Sequence, residues 1–229
     1  MNDKELVAFK AAKLAKNGMV IGLGTGSTAN YFIEHLAKRQ SDEGLSISTV
    51  ASSTISAIKA ESCGLKVVAI SQLSRINLYV DGADEITPNL SLLKGRGQDL
   101  VMEKLLAKAA NQFIVVADKG KLVSRIGEKF IIPIEVIPDA WKMVKHQLEK
   151  HGAKGDIRLN TGKDNVAVSA HGSYILDMHF PEHISDEALN TLLNNTTGVV
   201  EHGVFYGIAS QVLIADNGNI EVMLTQKPL

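Results

Sequence analysis

Four short stretches hold the residue types that handle phosphorylated small molecules: "GTGST" (Gly24–Thr28), "DGADE" (Asp81–Glu85), "KGRG" (Lys94–Gly97) and "DKGK" (Asp118–Lys121). Before the first, an apolar run (Met19 to Leu23) breaks into glycines and hydroxyls, and Ala29, Phe32, Ile33, Leu36 and Ala37 then follow at helical spacing. A strand, a tight loop and a helix result. Backbone N–H groups and the positive end of a helix dipole face whatever sits above such a loop, and phosphate is the natural guest. Gly24, Gly26 and Ala29 also satisfy the loose dinucleotide pattern G-x-G-x-x-G/A. A dinucleotide site, however, needs an acid at the end of the second strand, which here ends in Ala51, Ser52 and Ser53. A simple phosphate ester fits better, and tight strand-to-helix packing alone would also call for such glycines.

The other three stretches add carboxylates and cations. "DGADE" offers Asp81, Asp84 and Glu85, although an acidic turn taken alone is a solvated turn. "KGRG" sets Lys94 and Arg96 among glycines at a helix start, and "DKGK" adds Lys119 and Lys121. Carboxylates and lysines around a phosphate loop suit proton movement on a phosphorylated polyol. Glu103 stands one turn after Asp99 and beside Lys104, which by itself is the pattern of an exposed charged helix face. His179 and His183 are separated by Pro181, which forbids a shared helical face for a metal.

These loops must be positioned by alternating strands and helices. Helix Lys4 to Lys16, with Leu6, Val7, Ala11 and Leu14 inward, stops at Asn17 and Gly18. Strand Leu45 to Ser53, a helix from Thr54, and the β-branched runs "LKVVAI" and "INLYV" come after the phosphate loop. Asp81 to Leu90 and Lys94 to Asp99 read as loops, before a helix with Leu105, Leu106, Ala109 and Phe113 inward and a buried strand Phe113 to Asp118. The rhythm implies an α/β fold with a doubly wound, mainly parallel, Rossmann-like sheet. From Phe130 the order becomes β-α-β-β-α-β, an inserted α+β ferredoxin-like small domain over 130–206, with 1–129 and 207–229 forming the catalytic domain. The tail reads as a hairpin turning at Asn217 and Gly218.

Composition narrows the partners. With 229 residues and 45% apolar content the chain can bury a substantial core, and its formal net charge of −1, with no basic cluster interleaved with aromatics, points away from nucleic acid. Cys63 is the only cysteine, which excludes an internal disulfide and suits the cytoplasm. No run of eighteen apolar residues suggests a membrane span.

Taken together, "GTGST", "DGADEI", "KGRGQDLVMEK" and "VADKGK", in this order and at these spacings, resemble the ribose-5-phosphate isomerase A family along nearly the whole chain. The resemblance implies interconversion of ribose 5-phosphate and ribulose 5-phosphate without a cofactor or metal. It implies substrate-binding segments at Thr25, Gly26, Ser27 and Thr28, at Asp81, Gly82, Ala83 and Asp84, at Lys94, Gly95, Arg96 and Gly97, and at Lys121, with Lys4 near the phosphate. Glu103 falls on the family's proton acceptor, Asp81 on the group that opens the sugar ring, Lys94 offsets enediolate charge, and Asp84 holds Lys94 or a sugar hydroxyl. Arg96 departs from the commoner all-glycine loop. Enzymes of this kind are commonly homodimers or homotetramers. Two other classes remain to be separated: a sugar-phosphate sensor, which would carry a DNA-binding segment where no helix-turn-helix or basic arm is recognisable, and a dehydrogenase, which would bind NAD.

Overall fold

Short polar caps and glycines decide where the elements begin and end. Asn2, Ser53 and Ser185 each cap a helix by accepting a backbone N–H with the side chain, and Gly44, with φ 67°, ends another in the left-handed region. In a computed structural model, which describes residues 1–225, the first elements are α1 (Asp3–Ala12), β1 (Val20–Leu23), α2 (Ser27–Glu43), β2 (Ser48–Ala51), α3 (Thr54–Ser62), β3 (Ile76–Asp81), β4 (Glu85–Ile86), β5 (Leu92–Leu93), α4 (Leu100–Ala109) and β6 (Ala110–Asp118). Then come β7 (Ile132–Val136), α5 (Trp141–Glu149), β8 (Lys154–Ile157), β9 (Tyr174–His179), α6 (Asp186–Asn194), β10 (Val199–His202), β11 (Val204–Phe205), β12 (Gln211–Asp216) and β13 (Asn219–Leu224). Among the described residues no helix is long and apolar enough to cross a membrane.

The chain divides into two compact units. The first comprises Met1–Ala83, Met102–Lys121 and the chain from Ile208 on. Its six-stranded sheet runs β13-β12-β6-β3-β1-β2, parallel throughout except for the hairpin strand β13. Counted in chain order, the parallel strands lie 2-1-3-4-5, and the winding reverses between β1 and β3. Val7 and Ala11 of α1 and Phe32, Ile33 and Leu36 of α2 bury against Ile21, Leu23, Leu78, Val80 and Ile114 of the sheet. Each large apolar side chain so buried contributes about 1.5–3 kcal/mol. The hairpin turns at Asn217 (φ 50°) and Gly218 (φ 82°), the left-handed pair a type I′ turn requires, and Asp3 of α1 accepts both turn N–H groups.

The second unit comprises Asp84–Val101 and Leu122–Gly207, so it takes in two segments besides 130–206. Its four-stranded antiparallel sheet has the order β10-β7-β9-β8. With α5 and α6 between the strands, that is the ferredoxin-like arrangement. Val144, Leu148, Leu189 and Leu193 of those helices pack on Ile132, Ile134, Leu176 and Met178. A second small sheet, β11-β5-β4, lies in the same unit.

Four local expectations are corrected. α1 ends at Ala12 rather than Lys16, because the carbonyls of Ala12 and Ala15 turn to the Arg39 guanidinium at 2.7 and 2.9 Å. "LKVVAI" makes only an isolated bridge at Val67 beside the edge strand β2, with Leu65 its one fully buried side chain, before a 3-10 turn at Ile70–Gln72. The Asp81 to Leu90 loop contains β4, and "SLLK" contains β5, pairs too short to show an alternating pattern. Finally, α4 turns Leu100, Glu103, Lys104, Leu106 and Ala107 inward, while Leu105 is 48% exposed.

Candidate active site

The site residues of the first unit gather where β1 and β3 run side by side. Gly22 pairs with Tyr79 and Leu23 with Val80, and at position 22 only glycine fits. A Cβ on Gly22 would lie 2.6 Å from Tyr79 Cδ2, and one on Gly24 would lie 2.1 Å from Asp81 Oδ1. Of the glycines that looked like a cofactor fingerprint, Gly24 makes room for Asp81, and Gly22, which stands before them, makes room for Tyr79, while nothing lies within 4 Å of a Cβ on Gly26.

Asp81 is fully buried at the end of β3. Its Oδ1 accepts the backbone N–H of Thr25 at 3.0 Å and of Gly82 at 2.7 Å, and its Oδ2 accepts the Tyr79 hydroxyl at 2.5 Å. The Thr25 hydroxyl is engaged with Ser52 (3.0 Å), Ser53 (2.7 Å) and Ser56 (3.2 Å) beyond the end of β2. Ser56 in turn donates to the Gly24 carbonyl at 2.7 Å. The start of the loop is thus fixed by the hydroxyls of Ser52 and Ser53, beyond β2, and of Ser56 in α3.

Gly26, with φ 112°, opens α2 and leaves the N–H groups of Ser27, Thr28 and Ala29 without intrahelical acceptors. Lys4, from α1, donates to Ser27 Oγ at 3.0 Å. A cation, a hydroxyl and a helix N-terminus so converge where an anion would bind.

Glu103 is 6% exposed, contrary to the charged surface that its neighbours Asp99 and Lys104 suggested; it shares the buried face of α4 with Leu100 and Ala107. Its charge and that of Asp81 both act on Tyr79, whose phenol is pushed well above its ordinary value, first by burial and then by these two carboxylates. Lys121 closes the 3-10 turn after β6 and is half-buried, whereas Lys119 pairs with Asp216 at the surface, 2.7 Å away.

In the second unit β4 pairs with β5, Glu85 opposite Leu93, and Asp84 and Lys94 are the residues next to this pair on the two segments. The Asp84 N–H donates to the Leu93 carbonyl at 2.8 Å, and Lys94 is 4% exposed. Gly95, at φ 100°, admits no side chain, since a Cβ would fall 1.9 Å from Leu100 Cδ2. Arg96 and Gly97 are exposed, and the Arg96 guanidinium stands 5.2 Å from the Phe130 ring centre. Glu85 is no solvated turn residue: fully buried, it accepts the N–H groups of Gly127, Lys129 and Phe130 at 2.6 to 2.7 Å.

Sequence reasoning missed Tyr79, Ser52, Ser53 and Ser56. Ser52 and Ser53 carried a signal, two hydroxyls at the carboxyl end of an apolar strand. Tyr79 looked like any aromatic in a buried run.

A glycine-and-hydroxyl loop with an acid at the switch point of a 2-1-3-4-5 sheet defines an α/β protein that binds phosphorylated small molecules beyond the carboxyl ends of its strands. Residues 48–219 match ribose 5-phosphate isomerase A (phosphoriboisomerase A), and the chain belongs to that family. It is 41% identical to ribose-5-phosphate isomerase A of Methanothermobacter thermautotrophicus over 97% of this chain and 98% of that one. Among solved structures, ribose 5-phosphate isomerase A of Methanocaldococcus jannaschii is 36% identical, with TM-score 0.91 over 96% of this chain and 97% of that one. A D-ribose-5-phosphate isomerase in complex with phospho-erythronic acid is 37% identical, with TM-score 0.93 over 98% of this chain and 100% of that one.

Proposed function

We propose that this chain interconverts ribose 5-phosphate and ribulose 5-phosphate by moving one proton between C2 and C1 through an enediolate, with no cofactor and no metal. Family membership supports the reaction, and one observation carries the assignment of its groups: Asp81 and Glu103, both buried, act on the same phenol of Tyr79. Two buried carboxylates that act on one phenol suit an aldose that must first be opened and then deprotonated on carbon.

In this reading the phosphate lies on the Thr25–Thr28 loop at the N-terminus of α2, with Lys4 and Lys121 as its cations. Asp81 takes the proton of the anomeric hydroxyl as the bond from C1 to the ring oxygen breaks, and gives it to that oxygen, which becomes the free hydroxyl of the open aldose. Glu103 removes the C2 proton and returns it to C1, while the O2 hydroxyl proton is lost and O1 gains one, so atoms and charge balance. Lys94 offsets negative charge on the enediolate oxygens, and Asp84 holds Lys94 or a sugar hydroxyl in place. Gly82, Ala83, Gly95, Arg96 and Gly97 complete the substrate segments.

The reading places the enzyme in the cytoplasm as a homodimer or homotetramer, with no nucleic-acid or membrane partner. The exposed Ile55 and Ile58 of α3 support a subunit contact. The test is formation of ribulose 5-phosphate from ribose 5-phosphate by the purified protein. Binding without turnover would leave a sensor instead.

A further inference from the structure

The carboxyl ends of β1, β2 and β3 are joined by a chain of hydrogen bonds that the scheme above does not use. Tyr79 donates to Asp81 Oδ2, Asp81 Oδ1 accepts the Thr25 N–H, and the Thr25 hydroxyl meets Ser52 at 3.0 Å. Tyr79 is fully buried and stacked on Phe113, with ring centres 5.0 Å apart and planes at 19°. A buried hydroxyl costs stability unless it is bonded, so a position asking only for packing is served by Phe. Here a second position is given up to it as well, since Gly22 leaves the space that the Tyr79 ring occupies.

We propose that Tyr79 is a positioning residue for the isomerisation: its phenol fixes the Asp81 carboxylate relative to the phosphate loop, so that a sugar anchored by its phosphate presents its ring to Asp81. Two of the chain's members, Thr25 and Asp81, are the phosphate-loop and ring-opening residues. Tyr79 and Ser52 stand at its two ends and hold them in register. The inference rests on the reading of Asp81 as the ring-opening group.

Tyr79→Phe keeps the stack and removes one oxygen. The informative measurement is initial velocity against enzyme concentration, with ribose 5-phosphate, which is mostly cyclic, and with ribulose 5-phosphate, which cannot close to a furanose. With Tyr79→Phe, kcat on ribose 5-phosphate should fall about ten- to hundredfold, the effect of misplacing a reacting group by a fraction of an ångström. Velocity should also level off with added enzyme, at the rate of spontaneous ring opening, while that on ribulose 5-phosphate stays proportional to enzyme. Ser52→Ala should give the same levelling with a smaller loss, and decides the matter if Tyr79→Phe does not fold. Velocities that fall equally for both sugars and remain proportional to enzyme would make Tyr79 a packing residue and overturn the proposal. Asp81→Asn separates the two layers of inference. If it too fails to level off, the ring-opening role of Asp81 falls and the proposal with it; if it levels off and neither Tyr79→Phe nor Ser52→Ala does, only the proposal falls.

Discussion

The backbone N–H of Thr25 lies 3.0 Å from Asp81 Oδ1, which joins the loop after β1 to the acid at the end of β3. The contact exists because Gly24 has no side chain: a Cβ there would lie 2.2 Å from Asp81 Cγ and 2.6 Å from its Cα, and backbone cannot step aside. Gly24→Ala should destabilise the protein by about 1–3 kcal/mol, as overpacked cores do, and lower kcat/KM about a hundredfold. Gly26→Ala is the contrast. Nothing lies within 4 Å of its Cβ position, so only the backbone opposes it, with φ 112° and ψ −179° in a region essentially confined to glycine, at a cost of about 1–3 kcal/mol. Denaturant melts and initial rates check both, and equal rate losses would mean that the β1–β3 approach does not govern the site.

Lys4 reaches Ser27 Oγ at the start of α2 from an exposed position, so its removal should not disturb folding. A phosphate is held alike in the ground and transition states, and Lys4→Ala should therefore raise KM about tenfold while kcat changes less than about threefold. Lys121→Ala should behave in the same way. In both variants kcat/KM should depend less steeply on ionic strength, because an exposed charge acts through a screened field. A drop in kcat at constant KM would place the lysine at the reacting carbons instead.

Asp99 gives a stability prediction with a definite sign. Its carboxyl is raised above the ordinary 3.8, by burial first and by the Glu135 charge second, with His171 opposing. The folded state thus binds this proton more tightly than the unfolded chain does. Its contribution is favourable at low pH and is lost as pH rises from about 4 through the raised folded value. Asp99→Asn keeps the size and removes the charge, so the variant should melt above the parent at pH 7, and the two curves should converge near pH 3. A variant that melts lower at neutral pH would show that the Asp99 charge is instead stabilising.

Much of this was legible because it is local. A strand breaking into "GTGST" before a helical stripe, a β-α-β-β-α-β order, and an Asn217-Gly218 turn between apolar runs each follow from periodicity and backbone preference. The failures are non-local. Lys66 to Ile70 has the composition of a strand, but a strand needs neighbours, and this run lies beyond the sheet edge with one bridge to Thr49. The Tyr79 hydroxyl is bonded to Asp81, and no pattern within β3 separates it from a core Phe. The stacking of the Arg96 guanidinium over Phe130, thirty-four positions along the chain, is likewise invisible to any local pattern. Glu103 is the sharpest case: charges at 99, 103 and 104 spell a wet surface, while Leu100 and Ala107 on the same face carry it inward.

That burial makes Glu103→Gln the most direct test of the chemistry. Gln keeps the size and the hydrogen-bonding capacity but lacks the basic oxygen that accepts a carbon-bound proton, so folding and substrate binding should persist while turnover collapses. General bases typically contribute 10²- to 10⁴-fold, and since water competes poorly for a proton on carbon in a buried site, the loss should lie at the upper end. Solvent isotope supplies a second measurement. A single carboxylate carrying the proton from C2 to C1 can trade it with solvent between the two steps, so ribulose 5-phosphate formed in D₂O should carry deuterium at C1. If Glu103→Gln retains more than about a tenth of the parent kcat, outside the general-base range, Glu103 is not the base. The proton must then be taken by Asp81, the other carboxylate that acts on Tyr79, or by Asp84 three residues further along the chain.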